Sequence, residues 1–348
     1  MPDWSNLEEQ MKKMEPIRKA FGPAKLKATP VFEDCVNYPT EAIQALLRLG
    51  RSIEWSEYIE ETHQKVAEFE KMLDVMKPVA NPKSRIYLWD EGNMPTETDY
   101  IDNSDCRYIH DPDFKPYLFE MLLPEAATPK GAVVLCAGGD HGAAVVTEGY
   151  QTALDFNAMG YQCFILLNRP NHNPWTAKEA GVDAARAVRM VRAKAAEYRI
   201  QPNQIAYAGF SNGGLTGEGL IQYYTGDQTV KEHFPGYTPD SLDDIIGAPN
   251  AFLCVYGPRF NGDTFDYTRA VYPPTFFAVG REDTAMDNLN WTYPDLVAPG
   301  VQVEVHTFAG VPHGQAGAKI FDGKVKYPNF ELWLTLADAF LQNLFQKR

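Results

Sequence analysis

The residues best suited to chemistry are a serine, an aspartate and a histidine, each placed where an apolar run gives way to glycine-rich chain. Gly209-Phe210-Ser211-Asn212-Gly213 has the pattern G-x-S-x-G, and Gly214 extends it. Ile205-Ala206-Tyr207-Ala208 before it reads as a strand, and Leu215 to Tyr224 after it as a helix. A serine on a sharp strand-to-helix turn is exposed for nucleophilic attack, and the flanking glycines let the two backbones come close. Such a serine is followed along the chain first by its acid and then by its base.

Two histidines come late enough to serve as that base. His306 lies within Val301–Val305 and its continuation, where polar and apolar residues alternate, so it shares the solvated face with Gln302 and Glu304. His313 lies past the end of that run, in Gly310-Val311-Pro312-His313-Gly314, and is the better-placed base. The acid is expected just after the strand Thr275–Val279. Asp283 in Gly280-Arg281-Glu282-Asp283 takes that place, with Glu282 and Asp287 as competing neighbours. Its role would be to accept a hydrogen bond from the imidazole and fix its tautomer.

Acyl transfer also needs donors for the oxyanion, each worth about 3–4 kcal/mol. Gly138-Gly139-Asp140-His141-Gly142 follows the apolar run Ala132–Ala137. The amides of Gly139 and Asp140, joined by that of Asn212, are the expected donors, although a plain glycine turn would have the same composition. His141 either touches substrate or bonds loop backbone. Trp175, Tyr256, Tyr267 and Tyr272 flank these motifs and can either stack on a substrate ring or pack internally. There is no H-E-x-x-H, P-loop or G-x-G-x-x-G pattern, so neither a metal nor any other cofactor is expected.

The elements that must hold these residues fall into two textures meeting near residue 115. Beyond it, apolar runs at Ala132–Ala137, Cys163–Leu167, Ile205–Ala208, Ala251–Tyr256, Thr275–Val279 and Val301–Val305 alternate with helix-length segments. A helix is predicted from Thr176 to Tyr198, opened by a Thr176/Glu179 capping box, and another from Asn329 to Phe345. Thr225–Asn250 reads as an irregular excursion. This alternation predicts an α/β fold with a mostly parallel, doubly wound sheet, its ligand site at the carboxyl ends of the strands. The first 114 residues read as a mainly helical extension ahead of a catalytic domain over 115–348. In it, Trp55, Ile59, Thr62, Val66, Phe69, Leu73 and Met76 form one helical stripe, suited to core packing, to a cap over the pocket or to a homo-oligomer contact.

Bulk properties narrow the class. Hydrophobic residues make up 45% of the 348, enough for a large core. A formal net charge of -14 argues against nucleic acid or an anionic membrane as partner. Five cysteines without CxxC spacing suit a reducing compartment. Met1-Pro2-Asp3-Trp4 opens no secretory leader, so a soluble cytoplasmic protein is expected, with a trimmed secreted form as the alternative.

With these motifs in place, residues 115–345 resemble the α/β-hydrolase superfamily, in its esterase/lipase branch of acetyl-xylan and feruloyl esterase-like enzymes. The resemblance is carried by Gly138-Gly139, Glu148-Gly149-Tyr150, Gly160-Tyr161, Asn168-Arg169 and the Gly209–Gly214 turn. Asp140 stands where relatives often carry a third glycine. The resemblance implies a serine carboxylesterase acting on a small-molecule ester, with a small acyl group on a carbohydrate or phenol. The alternatives are a prolyl-oligopeptidase-type peptidase or amidase, a cap-bearing hydrolase of carbon–carbon bonds in ketones, and a non-catalytic binding protein on the same fold.

Overall fold

The computed structural model describes residues 85–96, 115–139, 147–169, 177–317 and 325–346. In chain order its strands are β1 (Arg85–Tyr87), β2 (Tyr117–Met121), β3 (Ala132–Cys136), β4 (Gln162–Leu167), β5 (Ile205–Phe210), β6 (Ala251–Val255), β7 (Thr275–Gly280) and β8 (Val303–Phe308). The helices are α1 (Thr152–Ala158), α2 (Ala177–Ala193), α3 (Asn212–Tyr224), α4 (Val230–His233), α5 (Ala285–Val297) and α6 (Pro328–Phe345). A π-helical turn over Thr147–Gln151 leads into α1.

The strands form one sheet in the order β1-β2-β4-β3-β5-β6-β7-β8. From β4 to β8 every neighbouring pair is parallel, while β1 and β2 add an antiparallel edge. Every residue of β3 to β7 is buried, which is why those strands read as unbroken apolar runs rather than alternating ones. The sheet is covered on both faces. Phe210 of β5 meets Trp333 of α6, which also meets Phe156 of α1. Tyr207, three positions away on the same strand and so on the opposite face, lies against Gly217 of α3.

The predicted strands and the C-terminal helix stand close to their expected bounds. The last strand is displaced two residues toward the C-terminus, because its pairing with β7 joins Thr275 to Val303. The sheet also starts earlier than the change of texture near 115 suggested. β1 lies within the first 114 residues, and the two edge strands were hidden by their short length and mixed burial. The stripe from Trp55 to Met76 and the capping residue Thr176 lie outside the described residues. Among the described residues, no helix is long and apolar enough to cross a membrane.

Candidate active site

The register of the sheet carries the separated motifs to one place. From β3 the chain passes to β4 on one side and then to β5 on the other, and such a reversal opens a crevice at the strands' carboxyl ends. Pairing of Cys136 with Gly209 makes Gly138 and Ser211 leave the sheet side by side. A methyl group added to Gly138 would lie 2.7 Å from the Ser211 Cβ. On the other flank Phe210 pairs with Val255, and the Ser211 N–H donates to the Val255 carbonyl at 3.0 Å. Gly280 of β7 pairs with Phe308 of β8, so Asp283 and His313 follow from adjacent strand ends.

Ser211 occupies the turn between β5 and α3 with φ 53° and ψ -123°, a conformation that costs a non-glycine residue about 1–3 kcal/mol. Close packing imposes it. A Cβ on Gly213 would fall 2.0 Å from the Cys136 carbonyl oxygen, so the start of α3 can only pass β3 as glycine. The Ser211 Oγ lies 2.9 Å from His313 Nε2, and His313 Nδ1 lies 2.8 Å from Asp283 Oδ2. The other Asp283 oxygen accepts the Ala285 N–H at 2.8 Å. The Asp283 side chain is 0% exposed and that of His313 47%, so the carboxylate is enclosed while the imidazole is half-exposed. With Nδ1 donating to the carboxylate, Nε2 is left as acceptor for the serine hydroxyl.

The other predicted residues separate. Glu282 and Asp287 are exposed, and it is Asp283 that meets the imidazole. His306 stays on β8, bonded to Glu304 at 2.7 Å with its ring on Phe276. The Gly138 amide is taken by Glu148 Oε2 at 2.6 Å. Gly139 has φ 137°, a value that suits glycine alone. Asn212 is the first residue of α3, where backbone N–H groups have no partner within the helix. Asp140, His141 and Trp175 lie outside the described residues.

No protein-family model matches the chain. A curated relative, endo-1,4-beta-xylanase B of Butyrivibrio fibrisolvens, is 26% identical over 171 residues, which are 49% of this chain and 24% of the relative. The chain thus spans about a quarter of that relative's length. Among solved structures, an acetyl ester-xyloside bifunctional hydrolase from Caldicellulosiruptor lactoaceticus aligns with TM-score 0.57 and 22% identity, covering 75% of this chain and 96% of that one. An α/β-hydrolase enzyme from a Medee basin deep-sea metagenome library aligns with TM-score 0.52 and 19% identity, over 67% and 93%. Butyrate-bound esterase 2 of Thermogutta terrifontis gives TM-score 0.52 and 20% identity, over 67% and 90%.

The chain has the α/β-hydrolase fold.

Within that fold, Tyr256 departs from the expectation of a substrate contact. It is 1% exposed, its ring packs against His313 with centroids 4.9 Å apart, and its hydroxyl donates to Glu148 Oε1 at 2.7 Å. It backs the histidine and has no free face for a ligand ring. Tyr272 likewise directs its hydroxyl inward, to Glu218, while the half-buried Tyr267 donates to the partly exposed Asp295. Burial pushes the Cys136 thiol up to about 12, so this neighbour of the serine turn carries no thiolate at neutral pH. Sequence reasoning missed Glu148, which entered only as one letter of Glu148-Gly149-Tyr150. Nothing local marks it out, because Asp140, His141 and Asp155 lie in the same strand–helix unit.

Proposed function

We propose that the chain is a serine carboxylesterase that cleaves short-acyl esters through an acyl-enzyme, Ser211 being nucleophile, His313 base and Asp283 the orienting acid. The observation that carries this reading is the unbroken path from Ser211 Oγ through both imidazole nitrogens to a buried carboxylate, at 2.9 and 2.8 Å. The serine oxygen attacks the ester carbonyl as its proton passes to His313 Nε2, and the imidazolium is held by Asp283. The tetrahedral oxyanion takes hydrogen bonds from the amides of Asn212, Gly139 and Asp140. Collapse expels the alcohol, which takes the proton from Nε2. Water, activated by the same nitrogen, then releases the acid and restores Ser211.

Small acyl groups are favoured by the company the chain keeps. Esterase 2 of Thermogutta terrifontis appears with butyrate and with propionate bound, and the Caldicellulosiruptor protein is described as an acetyl ester-xyloside hydrolase. Together with the xylanase match, these support acetyl and butyryl esters, with acetylated sugars as the class to screen first. The test is steady-state hydrolysis of p-nitrophenyl esters from acetate to octanoate. Turnover is expected to be greatest for acetate and butyrate, and Ser211→Ala is expected to lower kcat by about 10⁴-fold or more. Undiminished hydrolysis by Ser211→Ala would overturn the assignment.

A further inference from the structure

We infer that Glu148 is a positioning residue that ties the oxyanion loop to the histidine loop; this rests on the esterase reading above. Its carboxylate is buried, 2% of the residue being exposed, and its two oxygens point to two different loops. Oε2 accepts the Gly138 N–H at 2.6 Å. Gly138 is also the residue packed on the Ser211 Cβ, and the next amide is that of Gly139. Oε1 accepts the Tyr256 hydroxyl at 2.7 Å. That hydroxyl in turn accepts the Ala316 N–H at 3.3 Å, three residues beyond His313, while the Tyr256 ring lies edge-on to the imidazole.

One side chain therefore fixes the backbone that presents the oxyanion donors and, through Tyr256, both the ring and the loop of the base. The two halves of the machinery come from β3 and from the chain after β8. β5, β6 and β7 stand between them in the sheet. Some direct link is needed to hold their separation, because a shift of about 1 Å in such a constellation costs up to about 100-fold in rate. Tyr256 itself sits at φ 41°, an uncommon value for a non-glycine residue that directs its side chain between the two loops. A carboxylate is the group suited to this place, since it accepts two hydrogen bonds and has no proton to satisfy in return.

The two arms give the test its pattern. Glu148→Ala removes both arms, whereas Tyr256→Phe removes only the arm to the histidine loop. Backbone hydrogen exchange by mass spectrometry reads the loops directly, without reference to activity. The rate at which a fluorophosphonate labels Ser211 reads the chemistry. Glu148→Ala is expected to speed exchange in both 136–139 and 313–317 and to slow labelling by about 10–100-fold. Tyr256→Phe is expected to speed exchange in 313–317 alone. If Glu148→Ala does not fold, Glu148→Gln takes its place: it keeps an acceptor for Gly138 but turns a donor toward Tyr256, and should loosen the histidine loop most. Unchanged exchange in both loops, or an increase spread evenly over the sheet, would overturn the inference. Failure of the wild-type protein to label would instead overturn the esterase reading, and the exchange pattern would still decide the role of Glu148.

Discussion

At the scale of single residues, the site separates shielding from access. Asp283 is enclosed and takes hydrogen bonds on both oxygens, one from Ala285 and one from His313, so its orientation does not depend on substrate. This makes Asp283→Asn an informative change. The amide matches the carboxylate in shape, but its NH₂ group would face Nδ1 or force the opposite tautomer, leaving Nε2 protonated toward Ser211. The expected outcome is a fall in kcat of about 10⁴-fold with little change in KM and an unchanged melting temperature. Steady-state kinetics and thermal unfolding of the variant check it. Near wild-type kcat would mean that the aspartate does not set the tautomer.

At the scale of elements, α2 is a clamp. Asp183, Arg186, Arg189 and Arg192 recur every three residues, so each adjoins the next in a row that winds around the helix. Asp183 takes hydrogen bonds from the Trp89 indole, the Arg169 amide and the Arg169 guanidinium. Arg186 reaches Asp240 and the Leu88 carbonyl, Arg189 reaches Asp243 and the Ile245 carbonyl, and Arg192 reaches the Ala248 carbonyl and Asn250. The irregular stretch from Asp240 to Asn250, between α4 and β6, is thereby pinned to a regular helix, and the residues after β1 are pinned beside it. Both side chains of the Arg169–Asp183 pair are fully buried. Removing one partner leaves an uncompensated charge, so Asp183→Ala is expected to cost about 3–5 kcal/mol in chemical denaturation. A loss below about 1 kcal/mol, the ordinary worth of a surface pair, would show that the clamp carries little.

At the scale of the whole molecule, what the sequence disclosed follows from the range of the interactions involved. The serine turn was legible because its strand, glycines and helix occupy one short stretch whose geometry is local. Asp283 and His313 were legible because both follow strand ends, and parallel pairing lines those ends up on one edge of the sheet. Glu148 was not, since its partners are Gly138 and Tyr256, the second 108 residues away. The α2 clamp was hidden for a related reason: several of its acceptors are main-chain carbonyls, which have no letter in a sequence. The antiparallel edge was missed because β1 is only three residues long and the five-residue β2 is interrupted by Glu120.

A reaction that passes through an ester on Ser211 leaves that ester available to be trapped. The protein would be mixed with p-nitrophenyl butyrate, quenched in acid within the first turnover, digested and analysed by mass spectrometry. The expected result is a butyryl group on the peptide containing Ser211, absent from Ser211→Ala and cleared as substrate runs out. Hydrolysis with no acyl group on Ser211, or with the group on another residue, would contradict it.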